Sequence, residues 1–117
     1  MRAIEQARAA YETSEFRDRL KRYHSDVDCA FWQWNDIWLS PDFRRFDIRA
    51  ECRHIQAPTL AIQGEDDPYG SLRQLDEIEP TRGPFSRLVL AQCGHSPHRD
   101  QPDKVNRRIV EFLAKLP

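Results

Sequence analysis

The strongest constraint on this 117-residue chain is a pair of short apolar runs, Thr59-Leu60-Ala61-Ile62-Gln63 and Arg87-Leu88-Val89-Leu90-Ala91-Gln92, each leading into a glycine-bearing loop. A continuous apolar run, as opposed to an alternating one, suits a strand covered on both faces, as in a parallel sheet. Pro58 fits only at a strand's beginning, where its missing N–H does no harm. Between the runs, Leu72, Leu75 and Ile78 recur at helical spacing across Ser71 to Glu79, and Pro80 ends that helix. Gly83-Pro84 marks a turn. After the second run, Val105, Ile109, Phe112 and Leu113 share one side of a helix from Pro102 to Lys115, with Asp100 its expected N-cap. Strand, helix, strand, helix predicts a parallel βαβα unit, hence the α/β class.

That topology joins two loops that are distant in sequence. A crossover between parallel strands is right-handed in nearly all cases, so both carboxyl ends reach one edge of the sheet, where open α/β sheets bind ligands. The first loop carries Asp66 and Asp67, and the second carries His95. A carboxylate there can accept the imidazole Nδ1–H, fix the tautomer and stabilise the cation formed when Nε2 takes a proton. Histidine suits the task because its ordinary pKa, roughly 6.5, lies near working pH. Taken alone, an acidic loop residue is a common turn former. The joint placement after two consecutive strands is what points to a site. Ser96 adjoins His95 and is badly placed as its nucleophile, and His98 reads as a spare surface histidine.

The segment upstream is helical in character. From Arg2 to Tyr23, Ile4, Ala7, Tyr11, Phe16, Leu20 and Tyr23 fall near a three- or four-residue period, with one helix or two left open by a possible N-cap at Thr13 or Ser14. Phe31, Trp34, Trp38 and Leu39 then share a helical face that ends at Ser40-Pro41. Two readings of that face stand: core packing, and a substrate-facing wall in a lid. Arg44 and Arg45 lie close enough to occupy such rings themselves, which disfavours a cage for a cationic ligand. Phe43 to Arg53, with Phe46 and Ile48, reads as a charged surface connection, and His24 and His54 as structural or exposed.

Eighteen basic and nineteen acidic residues leave a formal charge of -1, so no long-range field favours nucleic acid or an anionic membrane. No apolar run approaches the roughly 20 residues of a transmembrane helix, and the N-terminus lacks a signal peptide's apolar segment, so a cytoplasmic protein is expected. Cys29, Cys52 and Cys93 cannot all pair within one chain and are expected as free buried thiols. Cys52-x-His54 and Cys93-x-His95-x-x-His98 bring soft ligands close together but lack the paired regularity of zinc motifs, so no metal is expected.

The loops resemble the C-terminal part of the α/β-hydrolase family. Its acid-bearing strand is followed by G-x-x-D, matched by Gly64-Glu65-Asp66-Asp67. Its last strand is followed by G-H, matched by Gly94-His95, before a terminal helix like that ending Ile109-Val110-Glu111-Phe112-Leu113. The resemblance implies a triad in the order nucleophile, acid, histidine. It assigns Asp67 as acid, Asp66 as reserve and His95 as base. It also implies a helical cap over residues 1–54, the C-terminal βαβα part of the core over 55–117, and Trp34, Trp38 and Tyr69 as substrate-binding candidates. No organic or metal cofactor is implied. No G-x-S-x-G occurs, and Ser14, Ser25, Ser40, Ser71 and Ser86 lack the glycines of a nucleophile elbow. The expectation is a C-terminal portion that supplies acid and histidine but not the nucleophile, which is serine or aspartate, for hydrolysis of a small ester, thioester or similar acyl substrate. An apolar sheet edge left open would need an oligomer or a complementing chain. The competing expectation is an inactive truncated fragment that serves only as an interaction or assembly module.

Overall fold

A computed structural model describes residues 2–13 and 15–116, which pack as two compact units, Met1–Phe46 and Asp47–Pro117. In the first, helix α1 (Arg2–Thr13) is followed by the short α2 (Phe16–Leu20) and by α3 (Val27–Leu39), with a single 3-10 turn at Phe43–Arg45. The break between α1 and α2 settles the open question as two helices. Thr13 does not cap the second: its hydroxyl donates to the Ala9 carbonyl at 2.6 Å, one turn back, and Glu15 holds the cap position without a side-chain bond. Ser14 lies outside the described residues. Helix α3 starts where Asp26 accepts the Cys29 amide at 2.9 Å, a cap worth about 1 kcal/mol.

The buried face of α3 is Val27, Phe31 and Asn35, rotated from the Phe31, Trp34, Trp38 stripe expected from spacing. The cause is α1. Tyr11 stacks on Phe31 with centroids 3.7 Å apart, Trp32 meets both rings edge-on, and Asn35 donates its side-chain amide to the Ile4 carbonyl at 3.0 Å. Trp34 is half-buried against Phe31, whereas Trp38 is 40% exposed and rests on Phe43.

Outside this aromatic core, the Asp28 carboxylate accepts the Tyr11 hydroxyl at 2.5 Å and both arms of the Arg17 guanidinium. The Arg17 hydrogen bonds, followed by that of Tyr11, hold the Asp28 carboxyl down to about 2. A depressed carboxyl stabilises the fold above its unfolded pKa and loses that contribution as pH falls through the folded value. Acid unfolding of this unit, followed by fluorescence of Trp32, Trp34 and Trp38, is therefore expected to show a component between about pH 4 and pH 2 that Asp28→Asn removes.

In the second unit, α4 (Arg49–Cys52) packs against α5 (Arg73–Ile78). Strands β1 (Thr59–Gly64) and β2 (Phe85–Leu90) pair in parallel from Thr59 opposite Phe85 to Gly64 opposite Leu90. α6 (Pro97–Asp100) and α7 (Pro102–Leu113) complete the unit. The βαβα alternation is present, with two corrections to its bounds. Strand β2 begins and ends two residues earlier than its apolar run, because pairing starts at Phe85 and the chain turns left-handed at Gln92, with φ 54°. Asp100 is not the cap of α7. It closes α6, and Gln101 occupies the α7 cap position with no side-chain cap bond.

Ile62, Leu88, Leu90, Cys93 and Val105 form the apolar centre of this unit. Each strand is largely half-buried, not covered on both faces, as expected of β1 when β2 is its only partner among the described residues. All three cysteines are free as expected, but only Cys93 is buried: Cys29 is exposed and Cys52 half-buried. His24 and His54 are exposed. Among the described residues no helix is long and apolar enough to cross a membrane.

Candidate active site

The ladder between the strands continues into their exit loops. Past Gly64, the Glu65 amide donates to the Leu90 carbonyl and the Asp66 amide to the Cys93 carbonyl, both at 2.9 Å. Gly64 permits this because a Cβ there would lie 2.1 Å from the Cys93 carbonyl oxygen and 2.4 Å from that of Gly94. The two loops are thus in backbone contact, and the residues just beyond that contact are Asp67 and His95.

His95 Nδ1 lies 3.0 Å from each Asp67 oxygen although 28 positions separate the residues. The Asp67 side chain is only 9% exposed, the His95 imidazole 61%. Burial pushes the Asp67 carboxyl up. The hydrogen bond from His95 and the backbone amides of Tyr69 and Gly70 outweigh it, and the net effect holds the carboxyl below its ordinary value. The Tyr69 amide donates to Asp67 Oδ1 at 2.8 Å, fixing the carboxylate through its own loop. An ionised carboxylate only accepts hydrogen bonds, so the proton between the two residues sits on Nδ1. In the neutral imidazole that leaves the lone pair on Nε2, the arrangement of a general base with an orienting acid.

Asp66 is exposed, and the bond to His95 is made by its neighbour Asp67. The Tyr69 ring meets the imidazole edge-on at 4.8 Å and is 43% exposed. Asp67, His95 and Tyr69 are thus brought together, while Trp34 and Trp38 belong to the helical unit. An open pocket of about 360 Å³ adjoins the pair, with Gly64, Gln74, Leu75, Ile78 and Pro97 among its walls. Gln63, buried on β1, lines it too, and its amide lies 3.4 Å from that of Gln74. Among the described residues no group of three or more His, Cys, Asp or Glu is placed to hold a metal ion.

Reasoning from sequence missed the groups that hold the histidine loop. Asp100 Oδ2 accepts the Gly94 amide at 2.8 Å, and the Gln101 side-chain amide donates to the carbonyls of Ala91, at 2.8 Å, and Gln92, at 3.3 Å. A polar pair just before Pro102 reads locally as a helix start. The only hint of another role is the glycine six residues before Asp100.

The chain is 30% identical over 69 residues to the putative protein-lysine deacylase ABHD14B of Rattus norvegicus, a match covering 57% of this chain and 31% of that protein. It is 28% identical over 74 residues to epoxide hydrolase 3 of Xenopus tropicalis, covering 62% and 20%. A shorter stretch of 38 residues is 45% identical to protein phosphatase methylesterase 1 of Homo sapiens, covering 32% and 10%. The chain thus spans less than a third of the length of these relatives, all of which are α/β-hydrolases. No family model and no solved structure matches it.

Proposed function

We propose that this chain, which resembles the C-terminal portion of an α/β-hydrolase, supplies the acid and the base of a hydrolytic triad whose nucleophile lies outside its 117 residues. The observation carrying this reading is the Asp67–His95 hydrogen bond at the carboxyl ends of two adjacent parallel strands. His95 Nε2 takes the proton of the attacking group and returns it to the leaving group. Asp67 holds the imidazole in the tautomer that permits this and stabilises the cation between the two steps. The substrate is a small ester, thioester or similar acyl compound, in keeping with relatives named as a deacylase and a methylesterase. An aspartate nucleophile would use the same acid and base, and one relative is named an epoxide hydrolase. The outer edge of β1, unpaired among the described residues, is where the rest of the sheet or a complementing chain adds. Tyr69, edge-on to the imidazole, contributes apolar contact to the substrate, and the proposed proton transfers call on no metal or organic cofactor.

The two acidic residues of the first loop separate in a direct comparison. In the hydrolase containing this chain, Asp67→Asn is expected to lower kcat/KM by on the order of 10³-fold, because the amide favours the wrong imidazole tautomer. Asp66→Asn changes it by less than about tenfold, as its exposed carboxylate acts only through solvent. Steady-state kinetics on both variants checks this, and the reverse order would place the acid at Asp66.

A further inference from the structure

We propose that Asp100 is a positioning residue for His95, an inference that rests on the reading of His95 as the base. His95 follows Gly94 directly, and the Gly94 amide donates to Asp100 Oδ2 at 2.8 Å. The same oxygen lies 3.8 Å from Cys93 Sγ, and a Cβ on Gly94 would meet it at 3.3 Å, so it sits against the backbone that carries the histidine. Burial, then the Asp100 carboxylate, pushes the Cys93 thiol up and keeps it protonated, so that its S–H also donates to the carboxylate.

The loop is held from two sides. From β1, the Asp66 amide takes the Cys93 carbonyl, and from beyond the histidine, Gln101 takes the carbonyls of Ala91 and Gln92. Those contacts fix the residues before Gly94. Asp100 is the side chain that takes the amide of Gly94 itself, one peptide from His95. The Cys93 carbonyl and the Gly94 amide belong to one planar peptide, so without Asp100 that peptide is held at its carbonyl alone and pivots about the Asp66 contact, tilting the backbone that carries the imidazole away from the Asp67 carboxylate. Asp100 touches no reacting atom and acts only through His95.

The test is the tautomer of His95 in the 117-residue chain, read from two-bond imidazole 1H–15N correlations. The wild-type ring is expected mainly as the Nδ1–H form. Asp100→Ala is expected to lower the ratio of Nδ1–H to Nε2–H about fivefold, the factor one ordinary hydrogen bond supplies. Asp100→Asn, whose amide oxygen can accept the same N–H, restores the wild-type ratio. A role confined to stability would lower the melting temperature of Asp100→Ala without moving the tautomer ratio, and that result overturns the proposal. Asp67→Asn separates the two claims. If it shifts the ratio while Asp100→Ala does not, the positioning role fails and the acid–base pair stands. If neither shifts it, both fail. Should Asp100→Ala not fold, the wild-type Gly94 amide decides: its hydrogen exchange is expected to be slowed by the bond to Asp100, and a Gly94 amide that exchanges as freely as an unbonded one overturns the proposal.

Discussion

Gly64→Ala is expected to destabilise the Asp47–Pro117 unit by roughly 3 kcal/mol and to separate the two site loops. The argument is steric. A methyl group on Gly64 would sit 2.1 Å and 2.4 Å from the carbonyl oxygens of Cys93 and Gly94. Both obstacles are backbone, so neither can swing aside as a side chain would. Relief requires the Cys93–Gly94 segment to retreat, which breaks the bond from the Asp66 amide to the Cys93 carbonyl and moves His95 away from Asp67. Gly64 has no left-handed φ, so the cost is contact and not backbone strain. Urea denaturation should show a lower midpoint with an unchanged slope. A midpoint within error of wild type would mean that the loops do not approach as closely as described.

The second large effect concerns turnover. In the longer hydrolase proposed above to contain this chain, His95→Ala is expected to lower kcat/KM by on the order of 10⁴-fold, about 5 kcal/mol of transition-state stabilisation, while leaving the fold nearly intact. Folding is spared because the imidazole is 61% exposed and, among the described residues, its side-chain hydrogen bond is to Asp67. Removing it leaves Asp67 with the amides of Tyr69 and Gly70, enough to keep the carboxylate satisfied. Activity is lost because no other described side chain bonded to Asp67 can take a proton from a nucleophile. His98 is exposed three residues on and makes no such bond. Wild-type kinetics in this variant would remove His95 from the reaction.

What was legible in the sequence followed from strong local rules. Two apolar runs too short for buried helices, each leading into glycine, defined a parallel pair and the edge on which Asp67 and His95 meet. The resemblance then chose between Asp66 and Asp67, a choice periodicity leaves open, and the side chain bonded to the imidazole is that of Asp67. What was not legible depended on tertiary partners. Phe85-Ser86-Arg87 is not continuously apolar, so the start of β2 had no pattern to mark it, and only its pairing with Thr59 does. Asn35 is a polar residue in an aromatic helix, and its burial follows from the Ile4 carbonyl that lies within its reach, which spacing does not show. Asp100 satisfied the rule for a helix cap, but a better donor, the Gly94 amide, lay across the turn. In each case a hydrogen bond to a partner outside the element itself outweighed a local preference that spacing alone describes.

The central claim is that these 117 residues hold two members of a triad and not the third. Fluorophosphonate labelling of the longer hydrolase proposed to contain them, followed by peptide mapping, tests it most directly. No serine of this chain is expected to carry an adduct, whether the label appears on a serine elsewhere in the protein or, with an aspartate nucleophile, not at all. An adduct on Ser96, Ser71 or any other serine within the 117 residues would contradict the account.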